Sequence, residues 1–229
     1  MDDYSTQWKK IDGFISKGLT KSALDEVDKI YNAAKKNSND PQIIKALLFK
    51  ITLKQNIEED ASVKSIDTLE KEIATSKEPA KSILESIGAQ MYLNYFQQNR
   101  YKLYSRTNTV NLNKKDIATW TTDDLHKKIG QLYMASIKNE TLLQQTKLEP
   151  FDAIVIKGNA RYLRPTLYDL LAHRALDYFK SDERDITQPA YAFEIKDKEA
   201  FAPLYGFVKY KFNTKDSASL HHKALLIFQ

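Results

Sequence analysis

The chain contains no cysteine. That excludes disulfide staples, thiolate nucleophiles and zinc held by cysteine, all of which need the sulfur. It says little about compartment, because 229 residues can bury a core large enough to fold without covalent help. Glycine and proline are scarce, at six each. A many-turned β-fold needs such residues at its corners, so their scarcity favours helices. No run approaches the roughly 18 apolar residues of a membrane span. No signal peptide is visible, since Met1 is followed at once by Asp2, Asp3 and Tyr4. Such a start fits a cytoplasmic protein or a chain cut just after a cleaved signal.

Motifs of known chemistry are missing too. There is no glycine-rich phosphate loop and no Gly-x-Ser-x-Gly elbow. The four histidines, His126, His173, His221 and His222, show no metal-binding spacing. Asp169 and His173 stand four apart, the spacing that lets an acid orient an imidazole on one helix face. The same spacing is an ordinary helical side-chain pair, and it is read here as that. His221 and His222 point to different sides of a helix. Glu58-Glu59-Asp60 and Asp123-Asp124 are neighbours in sequence, diverge on a helix, and read as solvated acids or first-turn charges. No catalytic, cofactor-binding or metal-binding residue is assigned, and no enzymatic activity is expected.

What is present is ordinary globular material, 42% hydrophobic and 28% charged. There are 35 Lys+Arg against 30 Asp+Glu, a net charge of +5. The basic residues fall as scattered pairs (Lys9-Lys10, Lys35-Lys36, Lys114-Lys115, Lys127-Lys128) with acids between them. A nucleic-acid surface would gather them on one face, so the pattern reads as solvated helix surface.

Apolar residues recur at helical spacing almost throughout. Trp8, Ile11, Phe14 and Ile15 line a first helix that Gly18 can end. Thr20 is placed to cap a second, with Ala23, Leu24, Val27, Ile30, Tyr31 and Ala34. Asp40-Pro41 reads as a cap and first-turn proline before Ile44, Leu47, Leu48 and Ile51. Ile66, Leu69 and Ile73 mark a fourth helix. Pro79 opens a long fifth with Ile83, Leu84, Ile87, Met91 and Tyr95. Short connections between similar helices predict antiparallel hairpins of a tetratricopeptide-like kind, although the full repeat signature does not recur.

Residues 106–120 are polar, with Asn108, Asn111 and Asn113 close together, and divide a first block, 1–105, from a second, 106–229. The two are expected to pack as one unit. In the second block Thr121 or Thr122 caps a helix with Leu125, Ile129, Leu132 and Tyr133. Ala153 to Ile156 fits a strand or a brief helix. Pro165 opens a helix with Leu167, Leu170, Leu171, Arg174, Ala175 and Tyr178. Residues 182–215, broken by Pro189 and Pro203, are loaded with aromatic rings from Tyr191 to Phe212. They predict an extended arm near 190–212 that buries its rings across helix surfaces, with a short strand over Phe207 to Phe212 as one option. Asp216-Ser217 can cap a last helix carrying Leu220, Ala224, Leu225 and Phe228. The chain stops at Gln229 inside that pattern, which reads as a piece cut from something longer. The crowd of Tyr92, Tyr95, Phe96, Tyr101 and Tyr104 reads as core between helical layers rather than as a docking stripe.

The most distinctive stretch runs Gly158-Asn159-Ala160-Arg161-Tyr162-Leu163-Arg164-Pro165-Thr166-Leu167-Tyr168-Asp169-Leu170-Leu171-Ala172-His173-Arg174-Ala175-Leu176-Asp177-Tyr178-Phe179. It resembles a segment in the N-terminal helical region of large bacterial alpha-2-macroglobulin-like proteins. Gly18-Leu19-Thr20-Lys21-Ser22-Ala23-Leu24, Asp40-Pro41-Gln42, Tyr95-Phe96-Gln97-Gln98-Asn99-Arg100 and Asp216-Ser217-Ala218-Ser219 agree in order. The resemblance implies a fragment of a longer, exported cell-envelope protein, with a possible lipid anchor. There, a helical region precedes a string of β-sandwich macroglobulin domains. Family members resemble protease-trapping inhibitors, some with a reactive Cys-Gly-Glu-Gln thioester. With no cysteine here, any such chemistry would lie downstream, and no family functional residue maps onto a position of this chain.

The partners so implied are the other domains of the same chain, and envelope proteins or proteases. A freestanding helical adaptor that binds peptides is one alternative; an enzyme or nucleic-acid binder is the other, and would need a polar pocket around His173 or basic residues converging on one face. Arg161, Arg164 and Arg174 are expected to fork onto carboxylates or carbonyls where blocks meet, so that Arg164→Ala lowers thermal stability.

Overall fold

The computed structural model describes residues 4–104, 116–182 and 190–229. The expected division at 105/106, the polar stretch with Asn108, Asn111 and Asn113, the Lys114-Lys115 pair and Pro189 lie outside the described residues. Within them the chain is all-α. Ten α-helices are present: α1 Ser5–Ser16, α2 Thr20–Lys36, α3 Asp40–Gln55, α4 Ala61–Thr75, α5 Ala80–Tyr104, α6 Thr122–Ser136, α7 Glu140–Gln145, α8 Leu167–Phe179, α9 Leu204–Lys209 and α10 Leu220–Phe228. No strand forms among the described residues, only an isolated antiparallel bridge between Lys147 and Thr166. Nor is any described helix long and apolar enough to cross a membrane.

The first three helices are linked by matching turns. Gly18 ends α1 in the left-handed region at φ 70°; its N–H donates to the Ile15 carbonyl, and that of Leu19 to Phe14. This is a Schellman closure. The α2–α3 turn repeats it with Ser38 at φ 50°, Ser38 N–H on Lys35 and Asn39 N–H on Ala34. Such tight turns force α1 against α2 and α2 against α3, as helical hairpins.

Two cores result. Tyr4, Trp8, Ile11, Val27 and Ile30 close the smaller one with Ile43, Ala46 and Leu53 of α3. The opposite side of α3, with Ile44, Leu47 and Ile51, belongs to the larger core. Apolar residues therefore surround α3, and it joins the two. The larger core continues through α4, α5, α6, α8 and α10. Its axis is α5, which packs against α4, α6 and α8. Phe96 of α5, His126 and Tyr133 of α6, and Tyr178 and Phe179 of α8 form one buried ring cluster there. The Tyr178 hydroxyl lies 2.8 Å from Nδ1 of His126.

Several expected caps shift by a residue or more. Asn39, not Asp40, caps α3, accepting from the Gln42 N–H at 3.4 Å, and Pro41 sits in the first turn. Thr20 is already helical, and Leu19 precedes it without a side-chain cap. Thr121 caps α6 in a full capping box with Asp124. In α8 the cap is Thr166, boxed with Asp169, one residue beyond Pro165. Ser219 rather than Asp216-Ser217 caps α10. The hydroxyl and amide acceptors that win are those whose side chains can reach an unpaired first-turn N–H.

Ala153 to Ile156 is neither strand nor helix. It is a turn after the 3-10 segment Glu149–Phe151, with Phe151, Ile154 and Val155 packed on the larger core. Tyr92 and Phe96 are buried as expected of core rings, Tyr92 stacking on Trp120 at 5.6 Å. Tyr101 is not, because it faces water near the end of α5.

Candidate interaction surface

Residues 190–212 depart from the expected ring-burying arm. A 3-10 turn, Lys198–Phe201, and α9 occupy its middle, so Phe207 lies on a helix and no strand forms there. Pro203 starts α9 with its fixed φ, and Gly206 lets the turn close, since a Cβ there would sit 3.1 Å from Cβ of Ala202. Phe212 does bury itself, with Tyr210 at 4.9 Å and Phe207 at 5.8 Å between ring centroids. Other rings do not. Phe201 is 79% exposed, Leu204 75% and Tyr205 77%.

This exposed face is held in place. Helix α10 packs on α8 through Leu220, Ala224 and Leu225. From its end the Gln229 amide donates to the carbonyls of Phe207 at 2.8 Å and Tyr210 at 2.5 Å. Nε2 of His222 lies 2.8 Å from the Phe212 carbonyl, and its ring meets Phe193 at 5.2 Å. Desolvation first, then the neighbouring Asp197 carboxylate, hold the Tyr210 phenol above the ordinary range. An anchored backbone that turns three large apolar side chains to solvent is a preorganised contact surface, because little ordering entropy remains to be lost on docking. Burying each of those side chains is worth about 1.5–3 kcal/mol.

The residues singled out from sequence do not assemble into a reactive centre. Asp169 spends Oδ2 on Thr166, accepting from its N–H at 2.9 Å and its hydroxyl at 2.7 Å. No hydrogen bond joins it to His173 among the described residues. His221 pairs with Asp182 at 3.3 Å, while His222 faces Phe212, so the two neighbours diverge as helix geometry requires. Among the described residues no group of three or more His, Cys, Asp or Glu is placed to hold a metal.

The three arginines differ from one another. Arg174 donates from Nε to the Ser86 hydroxyl of α5 at 2.9 Å, tying α8 to α5. Arg161 donates from Nη1 to Asp152. The Arg164 side chain is exposed and makes no hydrogen bond or ion pair among the described residues, only its backbone N–H donating to the Arg161 carbonyl, which removes the expected reason for Arg164→Ala to lower stability. Sequence reasoning missed the exposed face itself. Alternating rings in a Pro-containing segment signal burial as readily as display, and only the neighbouring packing decides.

In comparisons with known proteins, no family model, no curated protein and no solved structure matches this chain.

Proposed function

We propose that this chain is a non-catalytic scaffold and docking domain whose partners are other domains of the same long protein. That protein would be an alpha-2-macroglobulin-like, protease-inhibiting envelope protein, exported from a bacterial cell. The observation that carries the docking part is the anchored face of Phe201, Leu204 and Tyr205. Apolar side chains held rigidly in water gain most from a fixed neighbour, and a covalently linked domain supplies one at high effective concentration. The order of sequence segments resembling that family's helical region supplies the parent. The charge pattern agrees with a protein partner rather than a nucleic acid, since lysines meet acids, as in Lys10–Glu26, Lys50–Asp28 and Lys128–Glu70.

Amide hydrogen exchange tests it. Residues 198–209 should exchange more slowly in the longer protein encoded by the gene than in this chain alone. Equal rates in both, or a reading frame that carries nothing further, would overturn the proposal.

A further inference from the structure

The face that carries Phe201, Leu204 and Tyr205 also carries charge. From Ala200 to Lys215 the chain holds the lysines Lys209, Lys211 and Lys215 and no carboxylate. Lys198 stands one 3-10 turn before Phe201, and side chains three apart in such a turn share one side. The Lys209 ammonium lies 4.6 Å from the centre of the Tyr205 ring. Cationic and apolar groups are therefore interleaved on one exposed surface.

These lysines are exposed and make no ion pair among the described residues. The acids nearby are engaged elsewhere. Glu194 pairs with Lys196 at 2.8 Å. Desolvation first, then Asp197 and Glu199, raise the Tyr210 phenol, so both carboxylates lie close to that ring. Asp216 is buried and accepts from the Ala218 N–H at 3.2 Å.

That pattern selects among occupants. A second copy meeting this face across a two-fold axis would set lysines against lysines. A nucleic acid would satisfy the lysines and leave Phe201 and Leu204 without apolar cover. A wholly apolar partner would strip water from the ammonium groups and offer them no acceptor.

Taking this face to dock a linked domain, we propose that the domain meets it with an apolar patch edged by carboxylates. The patch would cover Phe201, Leu204 and Tyr205, and Asp or Glu side chains would pair with Lys198 and Lys209. Lys211 and Lys215 add to the field that draws those acids in.

Amide exchange in the longer protein reads this out, each variant being compared with the same variant of this chain alone. The amides here close single turns, such as Gly206 N–H on the Pro203 carbonyl at 2.8 Å, so they register cover by a partner. Lys198→Glu combined with Lys209→Glu changes two exposed side chains, so the fold should persist. It should cut the slowing at residues 198–209 about five-fold or more, whereas Lys198→Arg with Lys209→Arg should keep it to within about two-fold. Full slowing in the reversed variant would overturn the acidic edge and leave the docking face standing. No slowing in the wild type would remove both. Vesicles of phosphatidylcholine and phosphatidylglycerol should not slow these amides in this chain alone. If they do so as strongly as the longer protein does, the occupant is a lipid surface and the proposal falls.

Discussion

Glu85 lies on the inner side of α5, buried among residues of the larger core. Burial comes first in pushing its carboxyl above the ordinary value of 4.5; Glu78 and Glu70 push the same way, while Lys81 and Lys128 oppose them. A carboxyl whose folded pKa is raised contributes fully below the unfolded value and loses that contribution as pH rises through the folded one. At neutral pH the group therefore opposes folding. Glu85→Gln should therefore raise the melting temperature at neutral pH, and its advantage should shrink near pH 4. A variant that melts lower than the wild type at neutral pH would show that Glu85 is held by contacts the amide cannot replace. Nothing in the sequence marked Glu85, because one acid on a long helix has the same local pattern buried or solvated. The pairing of His126 with Tyr178 was equally hidden, since 52 positions separate them.

At the scale of elements, the two Schellman turns make opposite predictions. Gly18 occupies the left-handed region without cost, and a Cβ there would meet nothing, so Gly18→Ala adds backbone strain alone. Urea denaturation should show a loss of about 1 kcal/mol. Ser38 holds the same conformation with a side chain that disfavours it. Ser38→Gly should thus gain up to about 1 kcal/mol, and a loss at that position would mean the serine side chain contributes something the turn geometry does not reveal. The first helix end was legible because glycine announces its φ. The second was not, since serine is common in every kind of loop. Caps were legible only to within a residue or two. Thr166 and Thr121 show why: the box with Asp169 or Asp124 outweighs a nearby proline or threonine as the start signal.

Across the whole molecule, packing converges on α5, and at Gly88 its neighbours come close. A Cβ at Gly88 would lie 3.3 Å from Cδ1 of Ile73 and 3.5 Å from Leu132 and Leu69. Three helices meet on that missing side chain. Gly88→Leu should destabilise by about 1–3 kcal/mol or more, since an already filled core must open. A chemical denaturation midpoint unchanged by the substitution would mean that α4 and α6 are free to move apart. The docking face belongs to this scale as well, because it draws residues from more than one element.

Helical class followed from the sequence by itself, for a physical reason that is local. Apolar side chains at three- and four-residue spacing can be sealed from water only on a helix face, and the scarcity of glycine and proline left few places to interrupt one. What only the tertiary structure decided were the places where one element meets another. It set the double-sided role of α3, the buried partners of His126 and Glu85, and the close approach at Gly88. It also turned Phe201, Leu204 and Tyr205 outward while Phe212 went in. Such outcomes depend on which surfaces remain uncovered after the helices have packed, and no window of neighbouring residues contains that information.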